Sequence, residues 1–228
     1  MMKRPVGILS LAALLAASLA GTPALAQDGA CGPLANHYGP YDYRKDRGPT
    51  LDVVERRHFP LEVEMLRPYR TESPGTNIAY TLHTFPNHHR ALVAMAKLAE
   101  KEKRDPPRDA RYTVDCYFER ALRFRPDDTV ARLLYTQHLV AKAKLDEARV
   151  QLEETTRLAG ENPFTHYNIG LVYLDMKDYD KALQQAQRAM ALGFPRTDLK
   201  DALSSAGKWR EPAAAASASA PASAASAP

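Results

Sequence analysis

Residues 162–190 read NPFTHYNIGLVYLDMKDYDKALQQAQRAM, and this stretch decides the fold. Apolar residues recur in it at the spacing of amphipathic helices, but Gly170 stands in the middle of the first helical pattern. Glycine inside a helix costs about 1 kcal/mol relative to alanine, so a gain in packing must offset it. Ala182, on the second helical pattern, is also small. We therefore expect two helices that cross closely at Gly170 and Ala182, with Tyr173 and Leu183 covering the contact.

Similar positions recur along the chain at a fixed spacing of 34 residues. Phe124, Leu158 and Leu192 follow one another at this interval, and Ala148 precedes Ala182 by the same number of residues. A period of this length is typical of repeats that are built from two antiparallel helices. The sequence therefore predicts helix pairs that stack on one another.

The last copy of the repeat resembles the tetratricopeptide repeat family. Its HYNIGLVY segment follows the family pattern W-x-x-L-G-x-x-Y at His166, Ile169, Gly170 and Tyr173. Ala182 and Ala189 fill the two small positions of the second helix, and Pro195 falls one residue after the place of the family's terminal proline. The resemblance implies an all-α fold that serves protein–protein interaction.

Two earlier copies follow the same pattern. In the middle copy, Tyr135, Thr136 and Leu139 stand at the family's Leu, Gly and Tyr positions and are followed by Ala148 and Leu152. Three residues depart from the pattern: Arg132, Thr155 and Gly160. An earlier copy has the second helix VDCYFERALRFRP, with Phe118, Ala121 and Pro126 at the family's Phe, Ala and Pro positions, and its first helix is NHHRALVAMAKLAEKE. The resemblance thus implies an α-solenoid of about three tetratricopeptide helix pairs, which with its C-terminal cap covers residues 87–210.

Capping residues mark the ends of the predicted helices. Asn87, Asp128 and Asn162 each precede a helical pattern and are predicted N-caps. Pro163 stands at a first helical position, where its missing N–H does no harm. Gly193 is expected to end the last repeat.

The chain on either side of the repeats divides into further segments. Residues 50–86 predict N-terminal helices that are divided at Pro60, and residues 27–49 contain too many Gly and Pro for regular structure. The segment TDLKDALSSAGKW at residues 197–209 predicts a C-terminal capping helix that covers the open end of the solenoid. Residues 211–228 consist of Ala, Ser and Pro after the first residue and predict a disordered tail.

Residues 1–26 have the pattern of a secretory signal peptide. Two basic residues precede an apolar run, and the sequence ALA ending at Ala26 supplies the small residues of a cleavage site. We expect cleavage after Ala26 and a periplasmic location. A transmembrane helix is the first alternative, but the run is shorter than the roughly 20 residues that such a helix needs. Lipidation at Cys31 is the second, although Asp28 occupies a place where a lipoprotein signal has an aliphatic residue.

The charge balance argues against a nucleic-acid partner. The chain has 31 Lys and Arg against 27 Asp and Glu, and signal cleavage would remove two of the basic residues. A nearly neutral protein lacks the basic surface that binding to phosphates requires. We therefore expect protein or peptide partners, no nucleic acid, and no transmembrane segment after cleavage.

The two cysteines, Cys31 and Cys116, predict a disulfide, because the periplasm is oxidising. The bond would close a long loop and stabilise the fold by at most about 4.5 kcal/mol on the chain-entropy model. It would strap the irregular N-terminal segment to the outer face of the first repeat. A redox role is the weaker alternative, since the chain has no C-x-x-C pair.

Motifs of catalysis and cofactor binding are missing from the sequence. It has no C-x-x-C-H, H-E-x-x-H, G-x-S-x-G or phosphate-binding glycine loop. His83, His88 and His89 could hold zinc or copper if they converged, but adjacent helical residues point about 100° apart. The alternative is that Asn87 caps the helix while one histidine packs in the joint and another is solvated. We expect no metal, no cofactor and no enzymatic activity.

The resemblance also implies which residues line a groove for a partner. In the family, the first helices of successive pairs line a concave surface. Carried over to this chain, the groove positions are Arg90, Val93, Lys97, Val130, Leu133, Gln137, Val140, Phe164, Tyr167, Asn168, Leu171 and Leu174. Asn168 is the best single candidate, because an amide side chain can both donate and accept hydrogen bonds.

Two features of these positions limit what the groove can bind. Val93 and Phe164 stand where the carboxylate clamp of some family members has lysines, so capture of a C-terminal carboxylate is not expected. The alternative for the third repeat is that the C-terminal helix buries Phe164 and Leu171.

Three functions are compatible with the sequence. The favoured one is a periplasmic interaction module that holds a peptide or helix of a partner in its groove, for envelope assembly, secretion or maintenance. The second is a structural subunit of an envelope complex that binds through its convex face. The third, a metal-dependent enzyme, has the least support.

Overall fold

The structure, a computed structural model, describes residues 31–212. The predicted signal peptide at residues 1–26 and nearly all of the predicted tail lie outside the described residues. In residues 31–212 the chain forms helices and no strand. The helices are α1 (Pro49–His58), α2 (Leu61–Glu64), α3 (Pro74–Thr84), α4 (His89–Glu102), α5 (Val114–Phe124), α6 (Thr129–Ala141), α7 (Leu145–Ala159), α8 (Pro163–Asp175), α9 (Tyr179–Ala191) and α10 (Asp198–Ser205).

Three helix pairs stack in chain order to form the solenoid. The pairs are α4 with α5, α6 with α7, and α8 with α9, and the first helices of neighbouring pairs contact each other. Within the second and third pairs, a short turn joins the two helices. Within the first pair, the longer segment 103–113 joins α4 to α5. The helices α1 to α3 pack before the first pair, and α10 contacts both α8 and α9. The predicted all-α solenoid, with N-terminal helices and a C-terminal cap, is confirmed.

Two of the three groups of buried apolar side chains in the described residues are large and form most of the core. One is centred on α3 to α5 and includes Met95 and Phe118, and the other lies between α6 and α10 and includes Ile169. Val140 and Met176 pack against both groups, so the core runs through the stack. Each fully buried side chain of this size contributes about 1.5–3 kcal/mol relative to its exposed state. In the described residues, no helix combines the length and the apolar character that crossing a membrane requires.

Gly170 lies where α8 approaches both α9 and the capping helix. A Cβ atom at this position would be 2.4 Å from Leu199 Cδ2 and 3.3 Å from Gln185 Cβ. The carbonyl oxygen of Ala182, the expected contact, would be 3.5 Å away. Gly170 therefore lies close to α9 as expected, but its tightest neighbour is Leu199 of α10 and not a residue of α9.

The capping residues follow the prediction with one exception. Asp128 and Asn162 cap α6 and α8, because their side chains accept hydrogen bonds from Ala131 N and Thr165 N. The prediction for Asn87 is wrong, since α4 is capped by His88, whose Nδ1 accepts a hydrogen bond from Ala91 N at 3.2 Å. Asn87 is buried and bonded to residues far away in the chain.

The last repeat ends as its sequence predicts. Gly193 follows α9 with a φ of 82°, a conformation that favours glycine. Phe194 N donates to Ala189 O at 3.0 Å, which satisfies a carbonyl of the last helical turn.

The N-terminal strip, residues 31–48, runs irregularly across the first helices. Cys31 and Cys116 form the predicted disulfide, with their Cα atoms 5.0 Å apart. The guanidinium group of Arg120 on α5 donates to the carbonyl oxygens of Cys31 and Pro33, at 3.0 and 2.6 Å. The strip is thus strapped to the second helix of the first pair, as expected.

Candidate functional site

The first helices of the first two pairs enclose a groove. One cavity between α4 and α6 has a volume of about 270 Å³, and a second of about 190 Å³ shares Val93, Lys97 and Leu134 with it. The first cavity is lined by Glu64, His89, Arg90, Val93, Ala94, Lys97, Val130 and Leu134. Gln137 and His138 are among the residues that extend the lining into the second cavity. We refer to the two cavities together as the α4/α6 groove.

Helical spacing explains why these side chains share one surface. On α4, Ala91, Met95 and Leu98 are buried in the core. Arg90, Val93 and Lys97 recur at intervals of three and four residues on another face of the helix. On α6, Val130, Leu134 and Gln137 recur in the same way. The predicted groove residues of the first two repeats are therefore mostly brought together, with Leu133 and Val140 as exceptions.

Leu133 and Val140 contribute to the core. Leu133 is buried among the side chains of the second core group, and Val140 is partly buried against both groups. Their side chains therefore stabilise the stack of α6 on its neighbours.

One end of the groove is neutralised by ion pairs. Arg90 donates from Nε to Glu64 Oε1 at 2.9 Å, and its Nη1 lies 3.3 Å from Glu55 Oε1. The hydrogen bond from Arg90 lowers the pKa of Glu64, and both residues stay charged near neutral pH. Lys97, further along the groove, forms no ion pair with any residue between 31 and 212. The middle of the groove is therefore the place where a partner's negative charge would find an unneutralised cation.

The three histidines of the HTFPNHH segment do not converge. His88 is buried, and its Nδ1 accepts a hydrogen bond from a backbone N–H. Its Nε2 therefore carries the proton and donates to Glu55 Oε1 at 3.0 Å. His89 Nε2 lies 2.9 Å from Asp128 Oδ2. His83 packs near Tyr112 and Tyr117, with ring centroids 5.8 and 6.3 Å away.

This arrangement does not offer a metal site. The imidazoles face three different sets of partners and cannot share an ion. In the described part of the chain, one group of ligand-type atoms does lie close together, at Cys31, Cys116 and Glu119. Its two sulfurs are bonded to each other, so they are not available as thiolates.

Asn87 is the centre of a buried polar cluster that ties the N-terminal strip to the repeats. Its Nδ2 donates to Asp42 Oδ1 at 2.7 Å and to Asp128 Oδ2 at 2.8 Å. Its Oδ1 accepts from Tyr43 N at 3.0 Å. The cluster therefore joins the strip, the start of α4 and Asp128, the N-cap of α6. Asp128 is also bonded to His89, which lines the groove.

Cations balance the two buried carboxylates of this cluster. Arg44 donates to both oxygens of Asp42, at 3.1 and 2.9 Å, and Arg125 Nε lies 2.8 Å from Asp42 Oδ2. Burial alone would raise the pKa of Asp42, but the hydrogen bonds from Arg44 and Asn87 outweigh it and hold the pKa well below its usual range. The pKa of Asp128 is also lowered, because hydrogen bonds from His89 and a backbone amide outweigh its burial. Both carboxylates are ionised in the folded protein.

The predicted groove residues of the third repeat lie apart from the α4/α6 groove. Phe164 is 56 % exposed, so the C-terminal helix does not bury it. Tyr167 is buried: its ring lies 4.6 Å from the ring of Phe194, and its hydroxyl donates to Asp198 Oδ2 at 3.0 Å. Leu171 and Leu174 are partly buried against the core.

Asn168 faces its own helix. Its Nδ2 donates to Phe164 O at 2.7 Å, one turn earlier in α8. This bond uses one amide N–H and leaves the side-chain oxygen for a partner. Contact between the third repeat and a partner stays a prediction.

Comparison with known proteins identifies the repeat. Residues 163–193 match the family model of the tetratricopeptide repeat, and they form the α8/α9 pair. No curated protein matches the chain. The family match supports a general role in protein–protein interaction. The match therefore identifies the α8/α9 pair as a tetratricopeptide repeat, and two further helix pairs are stacked before it.

Proposed function

We propose that this protein is a periplasmic interaction module that holds a peptide or helix of a partner protein in the α4/α6 groove. The observation that carries the proposal is the continuity of the two cavities along α4 and α6. Five of the residues that the sequence assigns to a partner groove line these cavities: Arg90, Val93, Lys97, Val130 and Gln137. The predicted signal peptide supports the periplasmic location.

The chemistry of the groove favours a particular kind of segment. Val93, Val130 and Leu134 give it an apolar lining. Its polar groups include Lys97, Gln137 and the carboxylate of Glu100. Apolar side chains of a partner would fill the cavities, and an acidic side chain would meet Lys97. An amphipathic helix or an extended segment with this pattern is the partner that the groove fits.

A competing function uses the other side of the solenoid. A structural subunit of an envelope complex would bind through the convex face, where Val150 on α7 is 62 % exposed. An experiment that compares the two faces in the cell therefore decides between the functions.

Site-specific photo-crosslinking provides this comparison. A photoreactive amino acid would replace Lys97 or Gln137 in the groove, and Val150 would serve as the matched position on the convex face. We expect adducts with a protein partner from the two groove positions and few from Val150. Adducts that form from Val150 alone would contradict groove binding and favour the structural subunit. Fractionation of the same cells tests the location, since the proposal requires the mature chain to be released with periplasmic proteins.

A further inference from the structure

A separate cavity of about 340 Å³ lies between the N-terminal strip, α1 and α3. Its lining includes the aromatic side chains Tyr38 and Tyr80, and the basic side chains His37, Arg57 and His58. We refer to it as the α1/α3 pocket. It shares no lining residue with the α4/α6 groove, and neither the family match nor the proposed function assigns it a role.

Its aromatic walls are held in place by the fold. The ring of His58 stacks on that of Tyr80, with centroids 3.8 Å apart and planes 25° from parallel. The Nδ2 group of Asn77 donates to Ser73 O, so its Oδ1 is an acceptor, and His58 Nδ1 must donate to it at 3.2 Å. This bond fixes the orientation of the His58 imidazole. It uses only the Nδ1 atom, so the Nε2 atom takes no part in it.

The opposite wall is fixed in a similar way. Tyr38 packs edge-on against Tyr41, with ring centroids 5.6 Å apart, and Tyr41 packs on the buried Phe85 at 5.5 Å. Val53 and Val54 add an apolar surface to the lining. A cavity with rigid aromatic and apolar walls and a few polar groups is the usual form of a small-molecule site.

The charge in the pocket has one sign. No lining side chain is acidic. Glu55, the acidic residue of α1 nearest in sequence to Arg57, is bonded instead to His88 and Arg90 on the groove side. Arg57 forms no ion pair within residues 31–212. Arg57 lies in the last turn of α1, where a positive charge interacts favourably with the helix dipole. This interaction does not occupy the guanidinium group, which can still bind a ligand.

We propose that the α1/α3 pocket binds a small aromatic carboxylate. The ring lies against Tyr38, Tyr80 and the two valines, and the carboxylate accepts hydrogen bonds from the guanidinium group of Arg57. The volume is close to the lower end of the range for small-molecule sites, which suits a ligand with a single ring. This proposal does not depend on the function of the groove.

The test uses 4-hydroxybenzoate and its neutral analogue 4-hydroxybenzamide as probes of the full mature chain. Each is titrated while the NMR signals of the His58 and Tyr80 rings are followed. We expect 4-hydroxybenzoate to shift these signals and to bind more tightly than the amide. Arg57→Gln should weaken binding of the carboxylate on the order of fivefold and leave binding of the amide unchanged. Arg56→Gln is the matched control, because Arg56 is the neighbouring arginine and does not line the pocket.

A further variant tests the aromatic wall. Tyr80→Ala should weaken binding of both probes, and circular dichroism confirms that the variant is folded. The proposal is overturned if neither probe shifts the His58 and Tyr80 signals at concentrations up to about 20 mM. It is also overturned if the two probes bind equally and Arg57→Gln has no effect.

Discussion

The side-chain amide of Asn87 lies 2.7 Å from a carboxylate oxygen of Asp42, although the two residues are 45 positions apart in the chain. This bond connects the N-terminal strip to the segment just before α4, the first helix of the stacked pairs. The same amide also donates to the N-cap of α6, so one side chain joins the strip to two successive repeats. The strip is therefore part of the folded unit and helps to fix the end of the α4/α6 groove.

Asn87→Ala tests this role. The substitution leaves the N–H of Tyr43 without its partner and removes one hydrogen bond from each of two buried carboxylates, those of Asp42 and Asp128. We expect the free energy of unfolding to fall by about 2–4 kcal/mol, measured by urea denaturation. Asn36→Ala is the control, because Asn36 lies in the same strip and makes a single bond of 3.3 Å to Tyr38 O. Equal effects of the two substitutions would contradict a central role for Asn87.

Gly170→Leu tests the close packing of α8. A side chain at this position must displace Leu199 and press on Gln185. We expect the free energy of unfolding to fall by about 1–3 kcal/mol, even though leucine favours the helix. The loss should be smaller in a Leu199→Ala background, because the two positions are in contact. A variant that melts at the wild-type temperature would show that this contact is not tight.

The disulfide predicts the redox state of the two cysteines in the purified protein. Mass spectrometry of protein purified from the periplasm should find no free thiol at Cys31 or Cys116. Replacing both cysteines by serine should lower the free energy of unfolding by about 2–4.5 kcal/mol, since the unfolded chain loses a long loop constraint. Two free thiols in the purified protein would contradict the bond.

The burial of His83 predicts how stability depends on pH. Desolvation, together with the nearby charges of Arg120 and Arg111, lowers the pKa of His83 to about 4 in the folded protein, from a reference value of 6.5. Between these two values the unfolded chain binds more protons than the folded one. Stability should therefore fall as the pH drops from 6.5 to 4, by at most about 3 kcal/mol from this residue.

His83→Phe separates this contribution from those of other groups. The substitution should reduce the loss of stability between pH 6.5 and pH 4, as measured by urea denaturation at a series of pH values. Buried His88, whose pKa is also lowered, keeps its contribution in this variant. An unchanged pH dependence in His83→Phe would show that His83 is accessible to protons in the folded state.

The repeating part of the fold was predictable because its information is local. The spacing of 34 residues, the small residues of the last pair and the caps at Asp128 and Asn162 all follow from neighbouring positions. Asn87 was assigned wrongly because its partners lie 45 and 41 residues away. A helical pattern cannot show contacts between residues so far apart. The polar residues in the segments FPNHH and GPYDYR were the only hint in the sequence that these two segments form a polar cluster.

The candidate groove was predictable only in part for the same reason. The positions on α4 and the exposed positions on α6 follow from helical spacing. Tyr167 was expected to face a partner, but residues 194–198 fold back over it and bury its ring. The α1/α3 pocket was missed because three separate segments build it.

Quantitative capture of a partner from periplasmic extract is the most direct test of whether the α4/α6 groove binds a protein. The bait is the mature chain as wild type, as the groove variant Lys97→Glu/Val130→Glu, or as the convex-face variant Val150→Glu. Groove binding predicts that a partner retained by the wild type is captured at least about tenfold less by the groove variant and equally well by Val150→Glu. Retention of the partner by the groove variant, together with its loss from Val150→Glu, would contradict binding in the groove.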